Sequence, residues 1–108
     1  MEKQNLQGEI MLRYKIDERE IILKTLEYLA YVTQVTRYYR YSLRSIIVKT
    51  CFNNDFSYYR FVKNTTILTI RAILEFLGIK VVKKQYLRVW LSKEDQIKLR
   101  NFLKALQV

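Results

Sequence analysis

Residues 65–92 read TTILTIRAILEFLGIKVVKKQYLRVWLS, and the hydrophobic period changes inside this stretch. From Thr65 or Thr66 onward, Ile67, Ile70, Leu74 and Leu77 recur at helical spacing, which predicts a helix with those four on its inner face. Gly78 stands where the stripe stops and is suited to end the helix as a left-handed cap. Beyond it the period falls to two. Val81 on one arm and Leu87, Val89 and Leu91 on the other predict two strands within Ile79 to Leu91. Lys83, Lys84 and Gln85 stand at the turn, which lacks Asn-Gly chemistry, so a longer loop is expected in place of a tight primed turn. Ser92 then caps a further helix running to about Leu106. Glu94 and Asp95 suit its first turn, and Ile97, Phe102, Leu103 and Leu106 are expected inward.

Working toward the N-terminus, a short helix is predicted over 56–63, capped by Asp55 or Ser57, after a loop at Asn53, Asn54 and Asp55. A helix over about 34–52 precedes that loop, with Leu43, Ile46, Ile47 and Cys51 as its buried face and Arg40, Arg44 and Lys49 turned elsewhere. Before it lies a helix running to about residue 33. Asp17 and Glu20 form a capping-box-like pair at its start, and Ile16 and Ile21 hold the staple positions. Ile22, Leu26 and Leu29, widened by Ile21, Tyr28, Val32 and Val35, make a stripe broad enough for a central core helix. Ile10, Leu12, Tyr14 and Ile16 alternate with mostly polar residues, which predicts a strand over 9–16. Residues 1–8 are polar and expected to be flexible; 9–108 form a single domain, since 108 residues suffice for one core.

The predicted order is strand, helix, helix, short helix, helix, hairpin, helix. Over residues 56–106 this resembles a winged helix-turn-helix, with the helix that ends in Leu77-Gly78 running into a wing. The resemblance implies a mostly α, winged-helix-like single domain with a small β-hairpin or sheet. It also implies DNA binding, with the second helix of the turn in the major groove and the hairpin on the backbone or minor groove. Carried over residue by residue, it implies that Thr65, Thr66, Thr69 and Arg71 lie on the exposed side of the recognition helix. Lys80, Lys83, Lys84 and Arg88 would decorate the wing. The chain departs from the pattern in one respect. Its recognition helix has a single basic residue and no Asn or Gln for a bidentate contact to adenine, so backbone contact is expected before base reading.

Charge supports a polyanionic partner. Residues 1–27 hold five Lys/Arg against six Asp/Glu, and residues 94–108 hold three against two. The middle, 28–93, holds twelve basic residues against only Asp55 and Glu75, a net charge equal to the +10 of the whole chain. An excess concentrated in this way suggests a surface that faces phosphate, because self-repulsion of this size destabilises a fold unless something offsets it.

Within that region an aromatic-basic pattern occurs twice: Arg-Tyr-Tyr-Arg-Tyr at 37–41 and Ser-Tyr-Tyr-Arg-Phe at 57–61. Tyr rings stack on unpaired bases and Arg pairs with phosphate, while the same residues also suit core packing or a protein interface. Arg37, Tyr39, Arg40, Arg44, Tyr59, Arg60 and Lys63 are therefore candidate nucleic-acid contacts, beside the wing and helix residues named above.

Enzymatic classes fit poorly. There is no His and one Cys, so no metal set is available, and carboxylates are scarce in the basic region. Gly8 and Gly78 stand alone, so no phosphate-cradling loop is present. A Tyr39 or Tyr59 nucleophile beside arginines is conceivable, but the chain is short for such a recombinase. No catalytic residue, metal or cofactor is expected. Cys51 is read as a buried inert thiol, in keeping with a reducing cytoplasmic setting. No apolar run is long enough to span a bilayer, and no membrane partner is expected. Three functions stay open: a DNA-binding regulator or architectural protein, a small basic subunit of a nucleoprotein complex that binds single-stranded DNA or RNA, and a viral structural or protein-interaction module. A homodimer is compatible with each.

Overall fold

The structure is a computed structural model that describes residues 17–35, 37–83 and 87–107. The polar segment 1–8, the strand expected at 9–16, and Lys84 and Gln85 of the turn lie outside the described residues. Helix α1 (Glu18–Tyr31) starts where the Asp17 carboxylate accepts a hydrogen bond from the Glu20 amide at 2.9 Å. Its stripe buries Ile21, Leu26, Leu29 and Ala30 together with Thr25, whose hydroxyl donates to the Ile21 carbonyl at 2.7 Å. No basic residue stands in its last turn. The orphan carbonyls there are served from elsewhere. Gln96 Nε2 donates to the Leu29 and Val32 carbonyls at 3.0 and 2.8 Å, and Arg100 Nε donates to the Ala30 carbonyl at 2.8 Å.

The helix expected over 34–52 is two elements. Strand β1 (Tyr39–Ser42) comes first, and helix α2 (Leu43–Cys51) follows after Ser42 accepts from the Ser45 amide at 3.4 Å. Tyr-Arg-Tyr is strand-forming sequence, and pairing with a strand far downstream overrides the helical spacing read from its neighbours. The buried face of α2 is the expected one: Leu43, Ile46, Ile47 and Cys51, with Val48 added. Two consecutive left-handed residues, Asn53 (φ 50°) and Asn54 (φ 65°), end this segment, and the Asn54 amide donates back to the Val48 carbonyl at 3.1 Å. The short helix is a 3₁₀ turn, Phe56–Phe61, capped by Asp55, whose carboxylate accepts from the Ser57 amide and hydroxyl at 3.1 and 2.6 Å.

Helix α3 (Asn64–Phe76) buries Thr66, Ile70 and Leu74. Gly78 ends it at φ +78°: its amide donates to the Glu75 carbonyl at 3.0 Å and the Ile79 amide to the Leu74 carbonyl at 2.9 Å. This is the paired bonding of a Schellman motif, completed by burial of Ile79 beside Leu74 in the core. Strands β2 (Lys80–Lys83) and β3 (Leu87–Leu91) follow, and β1 joins them in an antiparallel sheet of order β1-β3-β2. Helix α4 (Lys93–Leu106) opens with a full capping box between Ser92 and Asp95.

Two residues expected on the inner face of α4 are outside it: Ile97 is 54% exposed and Leu106 is 51% exposed. The buried face is phased on Gln96, Leu99 and Leu103. Gln96 takes an inward position because the α1 carbonyls need its donors, and Ile97 is then turned about 100° away. The chain is a mostly α domain with a small three-stranded antiparallel sheet, winged-helix-like in the order of its elements. Among the described residues no helix is long and apolar enough to cross a membrane.

Candidate nucleic-acid interface

Antiparallel register sorts the basic residues of the sheet. Residues directly opposite each other share a face, and alternate residues along a strand share it too. Tyr41, Val89 and Val81 are in register and pack toward the core. Arg40, Trp90 and Lys80 form the adjacent row on the other face, followed by Ser42, Arg88 and Val82. Arg40 Cζ lies 5.2 Å and Lys80 Nζ 5.3 Å from the centre of the Trp90 ring, one from each neighbouring strand. The Tyr38 ring meets Trp90 edge-on at 6.5 Å. Arg40, Lys80 and Arg88 are exposed, and the three strands carry no Asp or Glu. The ion pairs Arg71–Glu75 and Lys98–Asp95 leave all three cations out. Sequence reasoning missed Trp90 and Tyr38 as members of this face. Alternation within LRVWL, which sets Arg88 and Trp90 opposite Leu87, Val89 and Leu91, was the available signal.

The two aromatic-basic copies adopt different conformations. At 37–41 the chain is extended or in β1, so Tyr38 and Arg40 share the outer face while Tyr39 and Tyr41 turn the other way, their rings 4.7 Å apart. Tyr41 also packs edge-on against Tyr28 at 6.1 Å. At 57–61 the chain is in the 3₁₀ turn, and Tyr58 and Tyr59 are half-buried. Arg44 is half-buried as well, its Cζ 5.3 Å from both the Phe56 and Tyr59 rings. Arg60 lies 5.0 Å from the Phe61 ring. Arg37, Lys63 and Lys83 are exposed, whereas Lys84 lies outside the described residues.

Helix α3 has a different surface. Thr66, expected on its exposed side, is 1% exposed, because the inner face runs Thr66, Ile70, Leu74 at four-residue spacing. Thr65 and Thr69 are exposed, and Thr69 Oγ1 donates to the Thr65 carbonyl at 2.8 Å. Arg71 Nε is bound to Glu75 at 2.8 Å. Beside these polar residues and the exposed Asn64, α3 presents an apolar stripe outward: Leu68 at 56% exposure, Ala72, and Phe76 at 84%. Beside Thr69, a groove of about 660 Å³ is lined by Ile22, Leu23, Leu103 and Leu106 together with Asp17, Glu18 and Glu27 against the single cation Arg19. Its charge is opposite to that of the sheet.

Burial raises the Cys51 thiol above its ordinary value, and contact with Thr50 Oγ1 at 3.4 Å offsets only part of that. The thiol is therefore protonated and a poor nucleophile at neutral pH. Burial also raises the Tyr59 phenol, against a smaller lowering by Arg44, so this ring is not poised to lose its proton. Among the described residues no three Asp, Glu or Cys side chains gather to hold a metal ion. Compared with models of known families, with curated proteins and with solved structures, the chain matches none.

Proposed function

We propose that this chain is a non-enzymatic nucleic-acid-binding domain that holds the backbone of duplex DNA through its basic wing and Arg-rich surface, as a regulator or architectural protein. The observation that carries the reading is the acid-free sheet face, on which Arg40, Lys80 and Arg88 are exposed with no carboxylate beside them in the strands. Such a surface raises the local concentration of a polyanion, and duplex DNA presents one charge per about 1.7 Å of axis. Phosphate contact fixes orientation without reading sequence, which agrees with an exposed face of α3 whose one Arg is paired with Glu75 and whose one amide side chain is Asn64 in the first turn.

The test is a titration of labelled duplex DNA, single-stranded DNA and RNA at several salt concentrations. Log affinity for duplex is expected to fall linearly with log salt, by about 0.9 per phosphate contact. A flat salt response, or no binding near about 150 mM salt, would overturn the reading.

A second reading is favoured by one observation. The exposed Leu68, Ala72 and Phe76 suit a protein partner better than phosphate, as in a subunit of a larger nucleoprotein complex.

A further inference from the structure

The nucleic-acid reading puts the duplex backbone on the basic wing and Arg-rich surface, but does not say which side chains take phosphate there or whether α3 makes the main contact. The resemblance to winged helices assigns that role to α3. We propose instead that the outer face of the sheet is the contact surface, and that it takes separate backbone phosphates on Arg40 and Lys80, with the Trp90 ring as the group that positions both. This inference rests on the nucleic-acid reading and narrows it.

The geometry begins with register. Trp90 stands on the central strand, with Arg40 opposite it on β1 and Lys80 opposite it on β2. Adjacent strands are about 4.8 Å apart, so these two cations rise from backbones about 10 Å apart. Because they rise from strands on opposite sides of Trp90, the two side chains can each turn to a different phosphate. Each charged end lies within 5.3 Å of the ring centre. An indole holds a cation at this range through its quadrupole while leaving the outward N–H groups free to donate. Long side chains otherwise lose rotamer freedom when they grip a phosphate. Side chains already resting on a ring have lost part of it, and this favours binding by about twofold to tenfold for the two together. Arg88 lies two residues before Trp90 on the same face and adds a third charge along β3.

The same contacts argue against base stacking. An unpaired base stacking on Trp90 would have to displace Arg40 or Lys80 from the ring and Tyr38 from its edge. A duplex needs no such displacement, since its bases are already stacked and its charge is on the outside. On α3, by contrast, Arg71 is bound to Glu75 and the exposed stripe is apolar. The helix has no basic residue besides Arg71, and its one amide side chain, Asn64, stands alone in the first turn.

The test uses the full chain, a fluorescein-labelled duplex oligonucleotide and poly(dT), with anisotropy read at several salt concentrations. Trp90 is the single tryptophan of the chain, so its own emission reports on the face directly. Arg40→Gln combined with Lys80→Gln is expected to lower duplex affinity at least about tenfold and to flatten the salt slope by about two contacts' worth. Trp90→Leu is expected to weaken binding about twofold to tenfold with the slope unchanged, because the charges remain and only their positioning is lost. Trp90→Phe keeps a ring and should recover most of that loss, which separates positioning from general destabilisation. In the unmodified chain, duplex binding should proceed without the strong quenching that a base stacked on indole produces.

Two results would overturn the inference while leaving nucleic-acid binding in place. One is unchanged affinity in the Arg40/Lys80 variant with a large loss in Thr69→Ala combined with Arg71→Gln. The other is tighter binding of poly(dT) than of duplex, with Trp90 quenched. Failure of the unmodified chain to bind any nucleic acid would remove the underlying reading as well.

Discussion

The outer face of the sheet and the exposed face of α3 adjoin each other in sequence, yet they are chemically unlike. On the sheet, Arg40, Lys80 and Arg88 gather around an indole without an acid among them. On α3, the one basic residue is bound to Glu75 and the remainder is Asn64, Thr, Ala, Leu and Phe. The difference follows from how the two elements collect residues. A helix face gathers neighbours three and four apart, so its charge is limited to what a short run of sequence contains. A three-stranded sheet draws on separate stretches of chain, and cross-strand register placed Arg40, Lys80 and Trp90 in one row. Concentrated charge here is a product of strand pairing, not of any basic run.

The largest expected effect separates the two sides of α3. Leu74 is fully buried, and Leu74→Ala should cost about 2–5 kcal/mol in urea unfolding. Phe76→Ser, on the exposed stripe, should shift stability by no more than about 0.5 kcal/mol. A large loss from Phe76→Ser would mean that this stripe is packed and is not an open surface. Next, Arg88→Glu reverses a charge on the sheet face and should weaken duplex binding about tenfold at low salt, with the gap closing as salt rises. An effect that persisted undiminished at high salt would contradict an electrostatic face.

Smaller effects concern the joint between the two regions and the reverse of the sheet. Gly78 links α3 to β2 at φ +78°, so Gly78→Ala should cost about 1 kcal/mol by calorimetry. The Tyr41 hydroxyl, on the inner side of the sheet, is buried with no hydrogen-bond partner among the described residues. Tyr41→Phe should leave stability unchanged or raise it by up to about 1 kcal/mol.

Last, Cys51, Tyr41 and Tyr59 all have their values raised by burial, so the folded chain keeps these protons longer than the unfolded one. Their contribution is complete at neutral pH and is lost as pH rises past the ordinary thiol and phenol values of about 8.5 and 10. Urea midpoints followed across pH should show this as a decline on the alkaline side. A rise in stability there would contradict the sign.

Much of the fold was legible because its signals are local. The Asp17 cap, the Gly78 terminator and the Ser92–Asp95 box each lie within a few residues of the element they define, and each is formed. Strand β1 was not legible, because the reason Tyr39–Ser42 is extended lies in β3 and not in its own neighbours. Gln96 was unreadable as an inner residue for a similar reason: the carbonyls that call it inward belong to α1. The candidate interface divides along the same line. Each basic residue could be named from sequence, but the row that joins Arg40 to Lys80 needs the register. The burial of Thr66 needs the packing of α3.

The closure of α1 by Gln96 and Arg100 has a consequence for synthesis. These bonds join residues 64 to 70 positions apart. On a ribosome, α1 emerges long before the donors that complete its last turn. Until α4 has followed it out, water is the donor left to the carbonyls at the helix end. The last turn of α1 is thus expected to be completed late in translation, when α4 docks.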